Sequence, residues 1–514
     1  MKKYIPLLAG SAFVVIAVAA IEYLALKKTG GHFCYPLDDT FIHMALAKNI
    51  ALHGNWGINA VGFTSTSSSP LFTVLLSVLI KFFSASILLP IIVSSAGTLL
   101  ILVAMQRELR KYSTLSVSNQ AVLIIAVLII GTIPAMTLLG MEHTLQAAFV
   151  LFFVHSVATV LTSTTNESLK TAAAWATLMT ITRYETSFLV AGSFLFLASQ
   201  KKYKAALLVS FAGALPLILF GLYSISKGGF FIPNSVMIKS NQDFIYLLNG
   251  GSNIVEKTGT FGGLFIIGLI LAYQKVLAKR YDRDFWILGL FLFAVLMHAI
   301  SVSLSWFYRY EAYLIVLGTL HIGKMLLYWL QENGWKGLRQ NMAVTVVTLV
   351  LLFSLPIRGL NSLRNSIRGI YNIYEQQYQM GMFMKQFYPG QTVAANDIGA
   401  ISYYGGLKTI DLWGLGNNEV MLARKHKTWD NAFLQKLVTD NQTKLAVIYD
   451  SWFNKDLTAP WVKVGTWTVP YQYTVGDATV SFYSINAADA ATLKSNLQAF
   501  QAQLPGDVKV MYYP

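Results

Sequence analysis

Two adjacent carboxylates, Asp38 and Asp39, stand in the loop that follows the first long apolar segment of the chain. A charge at a membrane boundary is costly unless it has a task. A pair of carboxylates can act as a general base, bind a cation or pair with a basic group. If the pair belongs to a site, we expect further polar residues on the same side of the membrane.

Four more short polar runs lie where apolar segments end. They are residues 140–143 with Glu142 and His143, residues 182–185 with Arg183, residues 228–234 with Asn234, and residues 305–310 with Tyr308 and Arg309. Each run alone has a simple structural explanation, such as a favourable charge at a helix start, an arginine reaching the lipid headgroups, or a turn. Five runs on one side predict a cleft at the outer membrane surface.

The composition indicates the elements that must position these residues. The chain has 514 residues, of which 55% are hydrophobic and 12% charged, and its mean hydropathy is +0.52. A soluble domain carries about twice that charged fraction, so we expect a polytopic α-helical membrane protein. The net charge of +15 comes from basic residues in short loops, which favours a role in membrane topology over nucleic-acid binding. Cys34 is the single cysteine and excludes an intramolecular disulfide.

Eleven apolar segments are predicted to span the membrane, with an uncleaved first helix whose amino end is cytoplasmic. Nearly every basic cluster then falls inside, provided that residues 70–83 form an interfacial helix on the outer surface. The segments lie near residues 4–26, 87–106, 119–139, 142–163, 170–184, 186–199, 204–226, 261–278, 285–304, 311–329 and 341–357.

Two domains follow from the change in composition after residue 358. Residues 1–358 are predicted to form the transmembrane module, with a first outer loop at 27–86. Residues 359–514 are predicted to form an extracytoplasmic α/β domain that begins with a helical connector at 359–388. Alternating apolar residues predict its strands at 392–395, 408–412, 444–449, 461–469 and 478–485, and a helix is predicted at 487–503.

The first loop resembles a known family. Residues 38–43, followed by Ala47-Lys48-Asn49 and by Ser69-Pro70-Leu71-Phe72, are similar to the first-loop signature of GT-C superfamily glycosyltransferases. The resemblance is closest to the bacterial terminal arabinofuranosyltransferase and mannosyltransferase-like group. Residues 140–143, 182–185, Pro233-Asn234 with Lys239, Arg309, and 396–415 also resemble that group in order and spacing. Tyr184 and His143 depart from it, since proline and a small hydroxyl residue are commoner there.

The resemblance implies a GT-C fold with about 11 transmembrane helices in a bacterial cytoplasmic (inner) membrane. It implies transfer of a sugar, with inversion, from a polyprenyl-phosphate donor to a glycan, lipid-linked glycan or protein acceptor on the outer, periplasmic face. The resemblance also implies that the pair Asp38 and Asp39 supplies the catalytic base, and that Glu142 is a further acidic residue of the site. The candidate ligands of the donor phosphate are Arg309, Arg183 and Lys239, and the candidate substrate-binding residues are His43, His143, Asn234, Tyr308 and Asp397.

No cofactor is required by the sequence, although a divalent cation could bind near the acidic cluster. Two other functions stay open. A membrane transporter is disfavoured because the predicted spans carry few charges at their centres and show no internal repeat. A non-catalytic glycan-binding assembly subunit is compatible with the large outer domain.

Overall fold

The computed structural model describes residues 2–240, 258–302, 307–340 and 342–514. Within these ranges eight helices are long and apolar enough to cross a membrane, and a pair bent by 49°, Val117–Ile130 with Ile133–Leu139, could form a ninth span. The chain is therefore a multi-pass membrane protein. The eight are Ile5–Lys28, Leu89–Tyr112, His143–Thr162, Tyr203–Ser226, Gly259–Leu277, Arg283–Ser301, Ala312–Gly334 and Thr345–Phe387.

Each of the eleven predicted segments contains a described helix, but two of these helices are short. Asn166–Thr182 has 17 residues and Ser187–Ser199 has 13, whereas a spanning helix needs about 20. The extended backbone of Arg183, with φ −154° and ψ 130°, ends the first of them. Pro70–Phe83 forms a helix of 14 residues, a length that fits the predicted interfacial placement better than a span.

The contacts divide the chain into two compact units. The first unit comprises residues 1–21, 91–220 and 240–365, and the second comprises residues 22–90, 221–239 and 366–514. The predicted domain boundary after residue 358 stays a prediction. At the centre of the first unit the helix His143–Thr162, which is mostly buried, packs against Asn166–Thr182, Arg283–Ser301 and Ala312–Gln340.

The second unit contains a six-stranded sheet, as predicted for an α/β domain. Its strands are β1 Thr392–Ala395, β2 Lys408–Asp411, β3 Leu445–Ile448, β4 Val462–Thr468, β5 Thr479–Ser484 and β6 Lys509–Tyr512. The strand order is β2-β1-β3-β5-β4-β6. Strand β1 is parallel to both β2 and β3, and the other pairs are antiparallel. All five predicted strands are confirmed to within one or two residues, whereas β6 was not predicted.

Helices complete the second unit. The connector continues as Ser354–Ile373, a π-helical turn at Tyr374–Tyr378, and Gln379–Phe387, which agrees with the predicted helical connector. The helix predicted at 487–503 has Ala490–Phe500 as its α-helical part. Three helices precede the connector in sequence and four lie within the sheet domain: Asp39–His53, Pro70–Phe83, Asn234–Ser240, Gly399–Gly405, Asn418–Lys425, Asn431–Asp440 and Ala490–Phe500.

Candidate functional site

The side chain of Asp38 connects the first loop, by two hydrogen bonds, to the turn that follows β1. Its Oδ2 accepts a hydrogen bond of 2.6 Å from the backbone N–H of Gly399, and its Oδ1 accepts one of 2.8 Å from the N–H of Ala400. These amides begin a helix and would otherwise lack partners. A Cβ on Gly399 would lie 2.5 Å from Asp38 Oδ2. Only glycine therefore lets the carboxylate approach the backbone this closely.

Asp38 also faces a second carboxyl group, that of Asp397. Asp397 Oδ2 accepts hydrogen bonds from Gln377 Nε2 at 2.8 Å and from the Tyr449 hydroxyl at 2.9 Å. Burial first, and then the neighbouring charge of Asp397 and a hydrogen bond to it, raise the pKa of Asp38 well above its usual range, although the amides of Gly399 and Ala400 oppose this. Two carboxylates this close do not both ionise readily, so the arrangement favours the protonated form of Asp38.

Asp39 has a different environment from its neighbour. It is the first residue of the helix Asp39–His53 and is half-buried, whereas Asp38 is 7% exposed. Negative charge is favourable in the first turn of a helix because the backbone N–H groups point toward it. The structure thus separates two aspartates that the sequence could only treat as a pair.

Two predicted substrate-binding residues of the second unit are engaged within the fold. His43 is buried, and its Nδ1 lies 3.2 Å from Ser67 Oγ and 3.3 Å from Thr73 Oγ1. Asn234 Nδ2 donates to Asn418 Oδ1 at 2.8 Å. Both side chains are thus held by other residues of the second unit, and their substrate-binding role stays a prediction. The side chain of Lys239 lies outside the described part of the structure.

In the first unit, three of the predicted polar runs meet. Arg183 Nη1 donates to Glu142 Oε1 at 2.9 Å, and its Nε donates to Glu185 Oε1 at 2.8 Å. The ring of Tyr310 lies 5.5 Å from the Arg183 guanidinium and 6.2 Å from the ring of His143. We call Glu142, His143, Arg183, Glu185 and Tyr310 the Glu142 cluster. It contains one arginine shared by two carboxylates.

Arg309 and Tyr308 adjoin this cluster in sequence. Arg309 is 2% exposed and donates to Met141 Sδ and to the Tyr310 hydroxyl, both at 3.1 Å. The Tyr308 hydroxyl accepts from Asn365 Nδ2 at 2.6 Å. Ser305 and Trp306, which belong to the same predicted run, lie outside the described residues.

A second ionic cluster in the first unit was missed from the sequence. Glu108 Oε2 accepts from Arg283 Nη2 at 2.7 Å, and Glu108 Oε1 lies 3.5 Å from Lys324 Nζ. His155 Nε2 and His321 Nε2 lie 3.0 Å apart. We call these five residues the Glu108 cluster.

The Glu108 cluster corrects the expectation of spans with few charges in one respect, because Lys324 is a buried charge within the helix Ala312–Gln340. Two signals could have revealed it. A glutamate stands within the basic run at 107–111, and Lys324 interrupts an apolar helix.

Ligand atoms of Glu108, His155 and His321 lie within 4.8 Å of one another, and among the described residues no other group of three metal-binding side chains converges in this way. The spacing would suit a transition metal. However, Arg283 and Lys324 already neutralise Glu108. A divalent metal ion bound there would be repelled by these two cations, so the cluster is better described as an ion-pair network.

Comparisons with known proteins agree with the fold. The domain family "Domain of unknown function (DUF8728)" matches residues 367–483. A comparison with curated protein sequences gives no match. The crystal structure of ArnT from Cupriavidus metallidurans bound to undecaprenyl phosphate is similar with a TM-score of 0.57 at 13% identity, covering 93% of this chain and 99% of ArnT.

The archaeal oligosaccharyltransferase AglB from Archaeoglobus fulgidus, in complex with an inhibitory peptide and a dolichol-phosphate, is similar with a TM-score of 0.51 at 10% identity. That alignment covers 93% of this chain and 74% of AglB. Both proteins are GT-C superfamily glycosyltransferases. The chain has the GT-C fold. The predicted fold class is thereby confirmed.

Proposed function

We propose that this protein is a membrane glycosyltransferase that moves a sugar from a polyprenyl-phosphate donor to a glycan, lipid-linked glycan or protein acceptor. The observation that carries the proposal is the GT-C fold over 93% of the chain, shared with an ArnT structure that holds undecaprenyl phosphate. The acidic first loop supplies the carboxylates that such a reaction needs. The basic residues cluster in loops on the side of the membrane opposite to the acidic first loop. This supports a bacterial inner-membrane location in which the active site and the sheet domain face the periplasm.

The two first-loop aspartates take different roles in this proposal. Asp38 is buried, both of its oxygens accept backbone hydrogen bonds, and its raised pKa favours the form that already carries a proton, so it is poorly suited to receive a proton from an incoming hydroxyl. Asp39 is more exposed and begins a helix. We therefore assign the general base to Asp39, and we assign to Asp38 the task of holding the first loop in position.

The proposed reaction is a single displacement. Asp39 takes the proton of the acceptor hydroxyl while the hydroxyl oxygen forms a bond to the anomeric carbon of the donor sugar. The bond between that carbon and the phosphate oxygen breaks, and polyprenyl phosphate leaves as an anion. Attack from the face opposite the leaving group inverts the anomeric configuration.

The leaving phosphate needs cationic partners. Arginine can bind phosphate oxygens through two N–H groups at once, and Arg309 and Lys239 are the proposed ligands. Arg183 is held between Glu142 and Glu185, so we propose that it positions Glu142 and contributes less to phosphate binding. A divalent cation near the first loop stays a prediction; Asp38 is committed to backbone amides, and such a cation would rest on Asp39.

Purified protein in lipid nanodiscs tests the assignment. It would be incubated with a panel of polyprenyl-phosphate arabinofuranose and mannose donors and a cell-envelope fraction as acceptor, and the release of polyprenyl phosphate would be measured. We expect Asp39→Asn to slow release by about 10²–10⁴-fold, the usual contribution of a general base. We expect Asp38→Asn to lower the melting temperature and to reduce activity less.

Asp440→Asn is the matched control, because Asp440 is exposed and pairs with Lys436 four residues earlier. Full activity of Asp39→Asn together with loss of activity in a folded Asp38→Asn protein would transfer the base to Asp38. An absence of release with every donor, together with retained glycan binding, would favour the non-catalytic assembly subunit.

A further inference from the structure

A cavity of about 190 Å³ lies in the first unit beside the Glu108 cluster. A single water needs about 10–15 Å³ of such volume, so the cavity has room for a much larger group. Its walls come from the last turns of Leu89–Tyr112, the carboxyl-terminal half of His143–Thr162, the amino-terminal half of Asn166–Thr182 and the start of Arg283–Ser301. The charged side of the cavity lies where the spanning helices Leu89–Tyr112 and Arg283–Ser301 end and begin, which is the depth of lipid headgroups.

The charged groups of the wall are not all committed to one another. Arg283 is occupied, since it donates to Glu108 and also to the carbonyl oxygen of His155 at 2.7 Å. Arg107, in contrast, makes no hydrogen bond, ion pair or ring contact with any residue that the structure describes, and Lys111 contacts the side chain of its neighbour Tyr112, whose ring lies 5.1 Å away, without pairing with a described carboxylate. Two cations are thus available to an anionic group in the cavity.

The hydroxyl groups of the wall offer acceptors. Ser156, Thr159 and Thr171 each donate to a carbonyl oxygen one turn earlier in their own helix. Their protons are used. The oxygen of Thr159 already accepts a hydrogen bond from Arg283 Nη1 at 2.7 Å, whereas the oxygens of Ser156 and Thr171 keep lone pairs that can accept one. Glu167, which also lines the cavity, adds a carboxylate. The wall therefore suits a ligand that carries hydrogen-bond donors as well as a phosphate.

We propose that this cavity binds the headgroup of a glycerophospholipid, with the phosphate on Arg107 and Lys111 and an ethanolamine ammonium or a glycerol hydroxyl on the wall oxygens and Glu167. Basic pockets between spanning helices are a known type of lipid headgroup site. The aromatic part of the wall, where the rings of Phe152 and Trp175 stack at 4.5 Å, covers the less polar glycerol backbone. The site is independent of the proposed sugar transfer.

Native mass spectrometry of the delipidated, detergent-solubilised protein tests the site. Phosphatidylethanolamine, phosphatidylglycerol and phosphatidylcholine would be titrated separately. We expect the first two to bind about tenfold more tightly than phosphatidylcholine, whose headgroup has no N–H or O–H donor. We expect the double variant Arg107→Gln/Lys111→Gln to lose about tenfold or more in affinity for both.

Arg110→Gln is the matched control, since Arg110 belongs to the same exposed helix end but contacts Tyr4 and does not line the cavity. Glu167→Gln should weaken phosphatidylethanolamine binding and leave phosphatidylglycerol binding nearly unchanged. Equal lipid binding by the double variant and the Arg110 control would overturn the proposal. Displacement of both lipids by millimolar inorganic phosphate would also overturn it, because the site would then be one for free phosphate.

Discussion

Glu108 and Glu142 in the first unit each face an arginine, whereas Asp38 in the second unit faces another carboxyl group, that of Asp397. The first arrangement offsets the cost of burying a charge with an opposite charge. In the second arrangement, backbone amides offset the cost of burying Asp38, while the neighbouring carboxyl group of Asp397 favours its protonated form. A buried carboxylate is therefore a poor functional signal by itself, and its partners decide what it can do.

Loss of the Glu108 carboxylate should produce the largest effect on stability. Glu108→Gln leaves Arg283, whose side chain is only 12% exposed, without its carboxylate partner, and breaking a largely buried pair costs about 3–5 kcal/mol. Glu142→Gln should cost about 1–2 kcal/mol, because Arg183 keeps Glu185. Denaturant titration of both variants in nanodiscs measures the difference, and Asp440→Asn, which breaks an exposed pair, should leave the stability nearly unchanged.

The same variants connect stability with function. We expect Glu142→Gln to impair sugar transfer more than its stability loss explains, and Glu108→Gln to impair it only through unfolding. If Glu142→Gln destabilised the protein as strongly as Glu108→Gln while the remaining folded protein kept full activity, then both clusters would be structural and the distinction between them would be lost.

The helices and strands that carry these carboxylates could be predicted from the sequence, but only some of the contacts between their charged groups could. Apolar periodicity located the helices and five strands, because burial dictates the spacing of apolar residues along each element. The runs holding Glu142 and Arg183 could be grouped because both end apolar segments. Glu108 and Lys324 stand out in the sequence as single unusual charges, but their grouping into the Glu108 cluster could not be predicted, because its members come from four helices and their contacts are fixed only by packing. Likewise, no local signal tells which of Asp38 and Asp39 turns toward the amides of residues 399 and 400.

An intermediate loss of stability is expected from a substitution at Gly399, where the Asp38 side chain approaches the backbone. Gly399→Ala places a Cβ 2.2 Å from the carbonyl oxygen of Asp38 and 2.5 Å from its Oδ2, so the first loop must shift. Overpacking of this kind costs about 1–3 kcal/mol. Differential scanning fluorimetry would compare it with Gly506→Ala, where an added Cβ meets no atom within 4 Å. Equal melting temperatures for the two variants would show that the contact between Asp38 and Gly399 does not hold the loop.

The smallest effect should be a change in pH dependence at the acidic pair. The raised pKa of Asp38 means that its contribution to stability is fully present below about pH 3.9, the ordinary value for aspartate, and is lost as the pH rises through the folded-state pKa. Asp397→Asn replaces the repelling carboxylate by an amide, whose oxygen can still accept from Gln377 and Tyr449 while its N–H donates to Asp38. The variant and the wild type should therefore melt together near pH 4.

At pH 8 the Asp397→Asn variant should melt about 2–4 °C above the wild type, because only in the folded wild type does the carboxyl group of Asp397 oppose the ionisation of Asp38. Asp440→Asn serves again as the control and should follow the wild type throughout. A difference between variant and wild type that stayed constant from pH 4 to pH 8 would show that Asp397 does not raise the pKa of Asp38. Asp38 would then be an ordinary ionised carboxylate that caps the turn after β1. It would differ from Glu108 and Glu142 of the first unit only in its partners, which are backbone amides and not arginines.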